Sequence, residues 1–150
     1  MTENKYYVPS IEEFCVGFEF EKYDERVAVY AGEGSTNWHK HTYDLRSIRL
    51  SQLPSHLFEK TIRTKYLDED DVKELGWEHL WNNYYSLKTV PAGLAPFKYV
   101  ILSIYNQNCI IAAYIENPRM YDEQNENKRF NGRIKNKSEL KKVMKMLRLC

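Results

Sequence analysis

Apolar and polar positions alternate with a period of two from Phe14 to Tyr23, where Val16, Phe18 and Phe20 interleave with Gly17, Glu19 and Glu21. Strand side chains point alternately to two faces, so this run predicts a strand with one buried and one wet face. Arg26 to Ala31 reads as a second strand, closed by the turn residues Gly32-Glu33-Gly34-Ser35, and Trp38 to Tyr43 as a polar third. Within residues 44–60, Leu45, Ile48, Leu50 and Leu53 fit a short amphipathic helix that Pro54 would end. Ile62 to Leu67 returns to strand. Asp68, with Asp71 three residues on, marks the start of a helix through Leu75 that Gly76 stops.

Tyr84 to Thr89 predicts a further strand, before a loop from Pro91 to Pro96. Lys98 to Tyr105 and Cys109 to Glu116 are the most apolar runs, separated by Asn106-Gln107-Asn108, which predicts a hairpin with a three-residue loop. Both strands are apolar on both faces, which places the hairpin at the centre of a sheet. After a polar loop over 117–127, Lys128 to Lys135 reads as the last strand and Ser138 to Leu149 as the last helix. Asn136 is its N-cap and Glu139 the acidic partner of a capping box, while Leu140, Val143, Met144, Leu147 and Cys150 share one face at helical spacing. The pattern predicts an α+β fold: a single antiparallel sheet of about six or seven strands against the C-terminal helix and one or two short helices. Residues 1–13 read as an N-terminal arm and 14–150 as one domain.

Composition fits this picture. The chain has 150 residues, 43% hydrophobic and 29% charged, within the range of a globular domain and outside that of a disordered chain. Three scattered cysteines, Cys15, Cys109 and Cys150, make no disulfide framework and predict free thiols in a reducing compartment. Met1 to Lys5 lead into no apolar signal-like run, and Asn106 to Asn108 interrupt the longest apolar stretch, so a cytoplasmic, membrane-free protein is expected.

Charge changes the picture more. Residues 1–127 hold 13 Lys and Arg against 20 Asp and Glu, net −7, while residues 128–150 hold 9 basic residues against Glu139 alone, net +8. That asymmetry makes Lys128, Arg129, Arg133, Lys135, Lys137, Lys141, Lys142 and Lys145 candidates for binding nucleic-acid phosphates. Against this, lysines late in a helix favour its C-terminal dipole, and an acidic remainder of the protein offers them partners.

No catalytic or metal motif emerges. His39 and His41 share a strand face, but zinc needs a third and usually a fourth ligand, and none stands at a suggestive spacing. Asp68 to Asp71 lacks the glycine and the terminal glutamate of a calcium loop; Gly32 and Gly34 have no third glycine; no Gly-x-Ser-x-Gly occurs. Glu19 and Glu21 read as the solvated side of an amphipathic strand. No cofactor is expected.

Aromatic content supplies the leading functional reading. The chain has 12 Tyr, 6 Phe and 3 Trp, which either pack a core or form a contact surface. Trp38, Tyr43, Trp77, Trp81, Tyr84 and Tyr85 are the candidate protein-binding anchors, because interfaces favour Trp and Tyr. The segments Ile11 to Glu21, Arg63 to Gly76 and Ile134 to Lys142 also resemble, in the same order, the opening, central and closing motifs of small proteins encoded by gut Bacteroidota and their phages. The resemblance implies a phage or prophage context with a host or virion protein as partner, and it carries over no site residue. A non-catalytic protein-binding module is therefore the expectation, with nucleic-acid binding through the basic segment as the alternative.

Overall fold

A computed structural model describes residues 5–24, 37–44, 52–115 and 127–150. Expectations for Arg26 to Ala31, for Gly32 to Ser35, for Leu45, Ile48 and Leu50, and for most of the 117–127 loop lie outside the described residues. The chain divides into two compact units, Met1–Tyr66 and Leu67–Cys150. Each has its own antiparallel sheet and its own core.

The first unit carries β1 (Tyr6–Tyr7), β2 (Glu19–Tyr23), β3 (Trp38–Thr42) and β4 (Ile62–Lys65), ordered β1-β4-β2-β3, with a short helix α1 (Leu53–Phe58). Tyr6 and Tyr7, in the expected arm, pair with Lys65 and Thr64. Phe18, Phe20, Tyr43, Leu53 and Ile62 form the core, with Phe14, Cys15 and Leu57 against it. The first strand is shorter than its alternation predicts. Gly17 lies at φ +89, a conformation that glycine adopts without steric cost, and the chain turns there before β2 begins. Pro54 opens α1 instead of ending a helix: it lies in the first turn, where its missing N–H leaves no bond unmade.

The second unit is a meander, β5 (Trp77–Trp81), β6 (Tyr84–Leu87), β7 (Tyr99–Tyr105), β8 (Asn108–Tyr114) and β9 (Asn127–Arg133), in that spatial order. Helices α2 (Glu69–Glu74) and α3 (Lys137–Met146) complete it. Val72 of α2, Leu140 and Met144 of α3, and the inward residues Leu102, Cys109 and Ile111 share one core, so the most apolar hairpin is central as its pattern predicts. Its turn has two residues: Asn106 and Gln107 both take positive φ, and Asn108 pairs with Tyr105 at the start of β8.

The single sheet of six or seven strands gives way to two sheets, of four and five strands. Alternation specifies which face of a strand is buried and leaves its neighbour open; β4 pairs with β1 and β2, not with the apolar hairpin. Strand β5 is absent from the sequence expectation because its register shifts between His79 and Trp81, which destroys the period of two. No helix among the described residues is long and apolar enough to cross a membrane.

Candidate functional site

Cross-strand partners share a sheet face. In the first unit Phe20, Ile62 and Thr64 are buried on one face, so their neighbours Glu21, Arg63 and Lys65 stand on the other. Register extends that second face: Glu21 lies opposite both Arg63 and Lys40, Tyr23 opposite Trp38, and Tyr6 opposite Lys65. Four strands thus bring Tyr6, Glu21, Tyr23, Trp38, Lys40, Arg63 and Lys65 onto one surface away from the core.

Arg63 is its centre. Its guanidinium carbon lies 3.9 Å from the ring centroid of Tyr6 and 4.0 Å from that of Trp38. Its Nε donates to Glu21 Oε2 at 2.8 Å. Trp38 also meets Tyr23 edge-on, with centroids 5.4 Å apart. Cation–π contacts at partly desolvated sites contribute on the order of 1 kcal/mol each. With side chains 26% and 16% exposed, Arg63 and Glu21 are held more firmly than a fully solvated pair. The cluster is therefore ordered before anything binds.

In the second unit Trp81 stacks on Tyr84 with centroids 5.4 Å apart, both half-buried on the β5–β6 hairpin. The other three expected anchors are packing residues. Tyr43 is 3% exposed and meets Phe14 edge-on within the first core. Trp77 is 1% exposed and its indole N–H donates to Met144 Sδ at 3.4 Å. Tyr85 lies in the second core, where burial raises the pKa of its hydroxyl. The sequence does not distinguish these from the accessible three because aromatic residues serve core and surface strand positions alike.

The basic residues do not form one patch. Lys128 and Arg133 lie opposite Ala112 and Asn108, on the face of the sheet away from α3, and Arg133 donates to Gln107 Oε1. Arg129 lies 4.8 Å from the Phe97 ring. Lys137 is paired with Glu74 at 2.7 Å. Lys128, Lys135 and Lys141 have interactions of their own, while Lys142 and Lys145 are exposed along the helix.

Among the described residues no group of three His, Cys, Asp or Glu side chains is placed to hold a metal ion. His41 instead stacks on Phe20 with centroids 5.5 Å apart, and Asp68 and Asp71 close the capping box of α2. Comparison with protein-family models, curated proteins and solved structures gives no match. Of this cluster, Trp38 is among the anchors expected from the sequence, and Tyr6, Tyr23, Glu21 and Arg63 are not. The available signal is the shared parity of aromatic and charged positions in β2, β3 and β4; the missing information is the register that joins them.

Proposed function

We propose that the protein is a non-catalytic binding module that engages a protein partner through the outer face of its first sheet. The observation that carries this reading is the fixing of Arg63 between Tyr6, Trp38 and Glu21 on an accessible surface. Arg, Trp and Tyr are the residues in which interface binding energy concentrates, and side chains already held in place lose little entropy on association. Trp81 and Tyr84 offer a second, smaller aromatic surface. A phage or prophage setting, with a host or virion protein as partner, agrees with the resemblance of the three sequence segments. The cytoplasm is the compartment suited to three free cysteines.

The test is a tagged pull-down from a gut Bacteroidota lysate, with and without nuclease and at two salt concentrations. A stoichiometric protein that survives nuclease and is lost with Trp38→Ala supports the proposal. Nucleic acid that is recovered at low salt and lost at high salt favours the basic segment instead, since phosphate contacts weaken steeply with salt.

A further inference from the structure

The guanidinium of Arg63 uses only part of its bonding capacity. Its central carbon lies over the rings of both Tyr6 and Trp38, and Nε is bound to Glu21. Among the described residues its two terminal Nη groups meet no hydrogen-bond acceptor, although they belong to a side chain whose plane is already held. A planar guanidinium presents paired N–H groups at a spacing that matches the two oxygens of a carboxylate.

We propose that the terminal edge of Arg63 is a carboxylate-recognition site, and that the partner polypeptide inserts an Asp or Glu side chain there. This rests on reading the face as protein-binding and names the chemistry of what it holds. Three features select this ligand. Tyr6 and Trp38 provide apolar walls for the methylenes of an acidic side chain. Among the described residues of this face, Arg63, Lys40 and Lys65 outnumber Glu19 and Glu21. Those two glutamates also disfavour a continuous phosphate backbone, which would carry charge past both of them, whereas a single carboxylate needs only the terminal edge of Arg63 that Glu21 leaves open. Like charges placed across an interface reject the wrong partner as effectively as opposite charges attract the right one.

The experiment is an NMR titration of the full-length, 15N-labelled protein, following the Arg63 Nε–H and Trp38 indole N–H. The probes are acetylated Leu-Asp-Leu amide, the same peptide with Asn replacing Asp, inorganic phosphate and a short oligothymidylate, all at constant ionic strength. The expected result is a saturable shift of both resonances with the Asp peptide, at concentrations at least roughly tenfold below any response to the Asn peptide, which corresponds to about 1.4 kcal/mol. Arg63→Lys, which keeps the charge and loses the fork, should erase that preference. Because the wild-type comparison of Asp and Asn peptides needs no variant, a destabilised Arg63→Lys leaves the test intact. Equal responses to the two peptides, or tighter binding of phosphate or oligothymidylate at these resonances, overturns the inference. Partner capture that depends on Trp38, beside equal Asp and Asn responses, would sink the carboxylate site while leaving the binding module standing.

Discussion

His56 shows how a single residue ties stability to pH. Its Nδ1 lies 3.0 Å from Thr61 Oγ1, and its pKa lies below the usual imidazole value. Burial is the main cause and the Lys22 cation adds to it, against an opposing pull from Glu59. The unfolded chain therefore binds a proton more readily than the folded one. The neutral imidazole contributes stability above the unfolded pKa, and that contribution is lost as pH falls through the lower folded value. Between about pH 7.5 and pH 5, His56→Gln should show a smaller fall in denaturant midpoint than wild type. An unchanged pH dependence would remove His56 from the account. Cys109 gives a second residue-scale expectation. Burial pushes its thiol up to about 11, and the residue is 0% exposed, whereas Cys150 is exposed. Reaction requires the thiolate. A thiol reagent at neutral pH should label Cys150 in the native protein and reach Cys109 only after unfolding, as mass spectrometry of the labelled peptides would show.

At the scale of elements, α3 is the part most fully legible in the sequence. Asn136 accepts from Glu139 N–H, and Leu140 and Met144 are buried, but the expected capping box does not close: the Glu139 carboxylate accepts from Lys135 N–H, one residue before the Asn136 N–H that the box requires. Its end is not legible. Arg148 takes φ +58, Leu149 N–H bonds to Met144 O and Arg148 N–H to Lys145 O, a Schellman ending without its customary glycine. A left-handed conformation costs a residue with a Cβ roughly 1–2 kcal/mol. Arg148→Gly should therefore stabilise the protein by about 1 kcal/mol, read as a rise in denaturant midpoint at constant m value. A fall would mean that the arginine side chain contributes more than its backbone strain costs. Capped helices and apolar hairpins are encoded within a few residues, which is why α2, α3, β7 and β8 can be read directly. Strand β5 is hidden by its bulge, and β2 is foreshortened by the turn at Gly17, features set by geometry and not by hydrophobic period.

At the scale of the molecule, the two cores draw on separate stretches of chain: the buried residues of one run from Phe18 to Ile62 and those of the other from Val72 to Leu149. A unit with its own sheet, helices and core has what independent folding requires. A fragment of residues 67–150 should give a dispersed amide spectrum and a cooperative melt; a collapsed spectrum would show that this core is insufficient alone. The candidate site is less legible than the fold for the same reason that one sheet becomes two. Tyr6, Trp38 and Arg63 are far apart in sequence and meet only through the order β1-β4-β2-β3, which pairing decides. Charge, the sharpest feature of the linear sequence, is divided in space between a helix and the opposite side of a sheet.

The measurement closest to the central claim is calorimetric titration of a purified captured partner against wild type, Tyr6→Ala, Trp38→Ala and the triple reversal of Lys135, Lys141 and Lys142 to Glu. Tyr6→Ala and Trp38→Ala should each lose at least about tenfold in affinity, the size of effect that buried aromatic anchors show, while the triple reversal should change it little. Full affinity in both aromatic variants, with binding abolished by the charge reversals, would contradict that claim and move the interface to the basic C-terminal strand and helix.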